Sequence, residues 1–208
     1  MATDVRVQDE LRAAVLRGEF APRQRLVEVE LCEQFDASRF AVRAALLALE
    51  SEGLVERQPN RGARIREISL DEAIEISEIR RVVEGLVAAR AAELVDDDAA
   101  ERLQEIGRQM HAALAAGEPT VYSDLNATLH QSLRDIAGHD TANRIIAQLH
   151  GQMVRHQFAL SRVPGRTAVS IQQHQRIIDT VCARDPAAAE AAMRDHISSV
   201  IEALRTLA

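Results

Sequence analysis

Apolar residues recur with a helical period along most of this chain, and the breaks in that period divide it. Val42, Ala45, Leu46 and Leu49 fall at i, i+3, i+4 and i+7, which predicts a short helix with one apolar face. Ser38 stands where an N-cap hydroxyl can accept from the first turn. Gly53 stands where glycine ends a helix in the left-handed conformation. Upstream, Val7, Leu11, Ala14 and Val15 predict an amphipathic helix over 7–17, closed by Gly18. Residues 20–25 contain Pro22 and read as irregular, and Leu26-Val27 reads as a very short strand. Val29, Leu31, Cys32 and Phe35 predict a second short helix, and Phe35-Asp36-Ala37 a tight turn. Two short helices across such a turn make a helix-turn-helix. Beyond Gly53, residues 54–58 and 63–66 flank Pro59-Asn60-Arg61-Gly62, which reads as strand, turn, strand. A hairpin directly after the third helix is a wing.

From Ser69 onward the period is helical throughout. Ser69 and Glu72 form a capping box for a long helix to about Leu94, with Ile76, Ile79, Val83, Leu86 and Val87 along its expected apolar face. Asp98 and Glu101 repeat that signal for a helix to about Ala116. Further helices are expected from Pro119 to Ala137, Asp140 to about Leu160, about Thr167 to Ala183, and Asp185-Pro186 to Leu207. Six helices without a strand pattern predict an all-α bundle. The fold class is therefore mainly α: a winged helix-turn-helix over 1–67 and an all-α six-helix domain over 70–208.

Composition supports helix packing. Hydrophobic residues make up 47 % of the 208 residues, yet aromatics are only 2 % and tryptophan is absent, so aliphatic side chains must fill the interior. The net charge of −7 argues against a protein coated in nucleic acid, but it is uneven. Residues 1–66 hold 11 Arg and 11 acids, whereas the remainder holds 14 Arg and 21 acids. A neutral first module binds DNA if its arginines share a face. Arg39 and Arg43 do, one turn apart near the start of the third helix. The guanidinium fork suits a guanine edge or a phosphate. Arg57, Arg61, Arg64 and Arg66 make the wing basic, as phosphates or a minor groove require. The plainer alternative is solvated surface charge, but five such elements in one order point to DNA binding. Cys32 and Cys182 are far apart and outside any metal-ligand spacing, the first residues lack a signal-peptide pattern, and no stretch has the length of a membrane span. A reduced, cytoplasmic setting is expected.

Gly18-Glu19-Phe20-Ala21-Pro22, Leu26, Glu30-Leu31, Ser38-Arg39, Val42-Arg43, Ala45-Leu46, Glu52-Gly53-Leu54-Val55 and Asn60-Arg61-Gly62-Ala63 resemble the winged helix of GntR-type bacterial transcription regulators. The resemblance covers about the first 66 residues and implies DNA contact by Ser38, Arg39, Phe40, Arg43, Arg61 and Gly62. Three departures stand out. Pro22-Arg23 replaces a frequent Pro-Gly, Phe40-Ala41 a frequent Thr-Pro, and Ala44 a usual Glu. Phe40 therefore lies where a base edge or methyl group is within reach, and the recognised sequence is expected to shift.

Three of the seven histidines fall in register with apolar stripes on separate helices: His130 with Leu129, Leu133 and Ala137; His174 with Ile171, Ile178 and Val181; His196 with Met193, Val200 and Leu204. Asn126 shares a face with His130. Periodicity leaves two readings open, hydrogen-bonded core histidines or a metal site built from neutral imidazoles. Arg80 lies along the apolar face one turn before Glu84, and it either pairs with Glu84 or receives a carboxylate ligand. Arg155 and His156, beside Met153 and Leu160, are candidates to line the same cavity.

Arg80, Glu84, Asn126 with Leu129-His130, His174 with Ile177-Ile178, Asp185, and Met193 with His196 resemble the FCD-type helical effector domain, over roughly 70–207. Six helices match the shorter, VanR-like branch of the FadR subfamily. That resemblance implies a divalent transition metal (Zn, Ni or Mn) bound by Asn126, His130, His174 and His196, and a small carboxylate effector beside Arg80, Arg155 and His156. Asn126 departs from the frequent Asp, which removes one negative charge from the ligand set. The resemblance also implies a homodimer on a palindromic operator. The rival reading is a metal-dependent hydrolase or lyase fused to a DNA-binding module. No general-base motif such as H-E-x-x-H accompanies these histidines, which argues against it. A third reading is a DNA-binding module with a dry helical core.

Overall fold

The computed structural model describes residues 2–58, 62–161 and 163–207, with backbone alone at 2–5, 58, 154, 155, 157, 158 and 161. The described residues form nine helices and one small sheet. Two compact units result: Met1–Ser69 with Gln148–Arg155, and Leu70–Ala147 with His156–Ala208.

In the first unit, α1 (Ala2–Leu16), α2 (Glu28–Gln34) and α3 (Arg39–Ser51) carry the expected apolar faces. Val7 and Leu11 of α1, Leu31 of α2, and Val42, Ala45, Leu46 and Leu49 of α3 are buried together. Fully burying each large aliphatic side chain contributes roughly 1.5–3 kcal/mol, which holds helices too short to persist alone. Ser38 caps α3 by accepting from the Ala41 amide at 3.2 Å. Gly53 takes φ +72° beyond the helix end, where an L side chain is strained. The wing is β2 (Val55–Gln58) antiparallel to β3 (Gly62–Ile65), with Val55 opposite Ile65 and Gln58 opposite Gly62. The short strand before α2, β1, is Arg25–Leu26, one residue earlier than the apolar pair Leu26-Val27 suggests, because Arg25 and Leu26 pair with Arg64 and Ala63 of β3. Residues 59–61, hence Arg61, lie outside the described residues.

In the second unit, α4 (Leu70–Leu94) packs against α6 (Pro119–Ala137), α8 (Arg166–Cys182) and α9 (Pro186–Arg205). The fifth helix, α5 (Asp97–Ala116), packs against α6 and α8, and α7 is Asp140–Ser161. Asp185 caps α9 by accepting from the Ala188 amide, with Pro186 at its first position. The cap of α5 is Asp96 and not Asp98: its carboxylate accepts from the Ala99 amide at 2.7 Å. Both are followed by helix formers, and the first to meet a free amide starts the helix.

The expected apolar face of α4 is also corrected. Its buried side is Ala73, Ile76, Ser77, Arg80, Glu84, Val87, Ala88 and Ala91. Ile79, Val82 and Leu86 stand 55 %, 53 % and 48 % exposed on another side. Alanines make close packing possible on the inner side, so the larger aliphatics form a second apolar face. Gln148 and Gln152 of α7 donate to the Ser51 and Glu52 carbonyls at 3.2 and 3.0 Å within the first unit, so this part of α7 does not group with the other bundle helices.

Candidate functional site

The apolar side of α3 is buried, so its other side faces outward. Arg39, Phe40 and Arg43 are exposed, Phe40 at 75 %. Arg39 has no ion-pair partner among the described residues, whereas Arg43 Nε donates to Glu28 Oε2 at 2.8 Å. On the wing, Arg57 is exposed, Arg64 pairs with Glu56 at 2.5 Å, and Arg66 is half-buried. Gly62 is exposed with φ +82°, a turn conformation that favours glycine. This surface offers fewer unpaired cations than the sequence alone suggests, and it adds one large exposed aromatic.

The second site lies inside the helical unit. His130 on α6, His174 on α8 and His196 on α9 are all buried. Each offers a ring nitrogen, and those three atoms lie within 4.8 Å of one another. Ring centroids are 5.7 Å apart for His130–His174, 5.6 Å for His130–His196 and 4.5 Å for His174–His196.

Partners outside the cluster engage the Nδ1 atom of each ring. Glu84 Oε2 lies 3.3 Å from His130 Nδ1. His196 Nδ1 donates to Gln173 Oε1 at 3.1 Å. Tyr122 Oη and His174 Nδ1 share a hydrogen bond of 3.1 Å. An amide oxygen only accepts, so His196 carries its proton on Nδ1 and leaves its Nε2 lone pair free. His174 Nε2 is buried without a hydrogen-bond partner. Orphaned ring nitrogens are uncommon in protein interiors, whereas metal-binding imidazoles tied at the far nitrogen are a frequent arrangement.

Electrostatics keeps His174 and His196 neutral. Burial, with His130 and Arg166 nearby, pushes His174 down to about 3. His196 is lowered well below the usual histidine value by burial, then by His174, His130 and Arg166. Burial pushes the Tyr122 phenol up to about 12. A neutral imidazole is the form that ligates a metal. The donor set, three nitrogens of borderline softness, suits a divalent transition ion.

The other candidate residues distribute as follows. Asn126 is half-buried one turn before His130, and its amide has no hydrogen-bond partner among the described residues. Arg80 is buried with Glu84, Nε to Oε1 2.8 Å, which is the ion-pair alternative. Glu84 thus bridges Arg80 and His130. His156 is half-buried on α7, and the side chain of Arg155 lies outside the described residues. Tyr122, Gln173 and Arg166 are absent from the sequence-derived set. Arg166, Ser170 and His174 recur at i, i+4 and i+8, a spacing that was readable. Gln173 carries no local signal, because its partner is on another helix.

Residues 3–65 match the family model described as bacterial regulatory proteins, gntR family, and residues 75–199 match the FCD domain. The chain is 28 % identical over 197 residues to the HTH-type transcriptional repressor RspR of Escherichia coli (strain K12), covering 95 % of this chain and 86 % of that protein. It is 30 % identical over 225 residues to the HTH-type transcriptional repressor NanR of Cronobacter sakazakii, covering 97 % and 85 %. In fold it is similar to E. coli McbR/YncC, with TM-score 0.81 at 20 % identity over 100 % of this chain and 99 % of that one. A DNA-reading module and a helical domain with this histidine cluster, matched along both parts, mark a transcription regulator and not an enzyme: the chain belongs to the GntR family, with an FCD domain as its C-terminal part.

Proposed function

We propose that this regulator binds a palindromic operator as a homodimer and that a small carboxylate modulates binding from a metal-containing helical domain. Ser38, Arg39, Phe40 and Arg43 read DNA from α3, and Arg61 and Gly62 contact it from the wing. The exposed, uncompensated Arg39 and the exposed Phe40 support this reading. The second apolar face of α4, Ile79, Val82 and Leu86, supports a dimer formed by the helical domains. Operator binding implies a cytoplasmic location, in keeping with two free cysteines.

His130, His174 and His196 would hold the ion, with Asn126 as a neutral oxygen ligand. A bound Zn, Ni or Mn ion would supply positive charge and open coordination positions to a carboxylate. Glu84, Gln173 and Tyr122 orient the rings. The observation that carries the reading is the buried, unpartnered Nε2 of His174 beside two rings whose Nδ1 atoms are already engaged. Arg80 is occupied by Glu84, which supports its role as a brace for His130; His156 remains a proposed lining residue on α7. A carboxylate that prefers one dimer arrangement shifts operator affinity by the size of that preference.

The test is metal analysis of full-length protein after incubation with Zn, Ni or Mn and desalting. One equivalent per chain in wild type and much less in His174→Ala is the expected result. A metal-free wild type that still binds an effector normally would make the three histidines core residues.

A further inference from the structure

Arg166 opens α8 and is half-buried. Its Nη1 donates to Ser199 Oγ at 2.6 Å, a neutral acceptor, and no carboxylate pairs with it among the described residues. Ser170, buried, follows one turn later on α8, and His174 one turn after that. Ser199 lies one turn beyond His196 on α9. Guanidinium, two hydroxyls and two imidazoles thus form one polar seam along the α8–α9 contact. Around it the contact is apolar, with Ile171, Ile178, Met193 and Ile197 buried.

The seam contains no negative charge of its own. Imidazole, hydroxyl and amide side chains supply no negative charge here, and the charge of Glu84 is answered by Arg80. Burial pushes the Arg166 guanidinium below its usual range. A partly desolvated cation without a counter-charge is unfavourable until an anion reaches it.

We propose that Arg166 anchors the second anionic group of the bound ligand, so that the site selects a short dicarboxylate over a monocarboxylate. The proposal rests on the reading that a first carboxylate is received at the histidine cluster. One helical turn between Ser199 and His196 rises ~5 Å, which suits a four-carbon diacid. The planar fork of Arg166 keeps donors free for that carboxylate while one holds Ser199.

Calorimetric titration of full-length, Zn-incubated protein with succinate and with propionate tests this. Wild type is expected to bind succinate about 10-fold or more tightly than propionate, the scale of one charge-assisted pair. Arg166→Gln should lose that preference while its propionate affinity and zinc content stay at wild-type values. Arg166→Lys, which keeps the charge without the fork, should recover part of it. A preference that survives in Arg166→Gln, or a wild type that binds the two acids equally or binds neither, overturns the proposal. Absence of zinc in wild type is a separate result that removes the metal reading. The comparison of the two acids then still decides whether Arg166 anchors a second carboxylate.

Discussion

Glu84 bridges a buried arginine and a buried histidine, so the helical domain should be sensitive to its removal. Glu84 is 3 % exposed, Arg80 is 5 % exposed, and the pair meets at 2.8 Å while the second carboxylate oxygen lies 3.3 Å from His130 Nδ1. Glu84→Gln keeps the shape and one accepting oxygen but leaves the guanidinium buried without its counter-charge. Removing one partner of a buried pair costs about 3 kcal/mol or more, well above the ~1 kcal/mol of an ordinary hydrogen bond. Arg80→Met strands the carboxylate instead and should cost a similar amount. The double variant should lose about 3 kcal/mol and not about 6, because each change removes the charge that the other leaves unpaired. Tyr122 is the single tyrosine and there is no tryptophan, so its emission during urea unfolding of metal-free, full-length protein reports this domain alone. Single variants that each lose less than about 1 kcal/mol, or a double variant whose loss is additive, would refute the bridging role.

Acid should destabilise the metal-free protein. Below about pH 6.5 the unfolded chain binds protons at His174 and His196, while the folded rings stay neutral, His174 down to about 3. Their stabilising contribution is complete above about pH 6.5 and falls with pH by up to about 1.4 kcal/mol per unit for each ring, so urea midpoints that stay flat between about pH 7 and about pH 5 contradict it. Arg39→Ala should weaken binding to a duplex selected by the protein itself by about 1–3 kcal/mol, and Arg43→Ala by less, because Glu28 already holds that guanidinium; equal losses in fluorescence anisotropy argue against this ranking. If Phe40 covers a thymine methyl, uracil in place of that thymine should cost wild type about 0.8 kcal/mol and Phe40→Ala nothing; an equal penalty in both proteins assigns the methyl to another contact. Leu86→Glu should convert a dimer into monomers in sedimentation at micromolar concentration, and an unchanged dimer moves the interface away from this face of α4.

Local chemistry made the architecture legible. Ser38 before an apolar period, Asp185 before Pro186, and Gly53 and Gly62 at left-handed positions act through neighbouring backbone, so they mark helix ends and the wing without knowledge of the fold. The same holds for the three histidines, since a 3.6-residue period already places each on the inner face of its helix. At α5 the sequence pointed to Asp98 as the cap where Asp96 serves, because both are capping residue types within the same short stretch. It also did not divide the aliphatics of α4 between core and surface, because that depends on how closely the alanines let other helices approach. Only the tertiary structure brought Glu84, Tyr122 and Gln173 to the far nitrogens of the rings and left Nε2 of His174 without a partner. It likewise set Arg166 of α8 beside a neutral serine of α9. These pairings depend on the rotation and register of one helix against another. No spacing within a single helix encodes them.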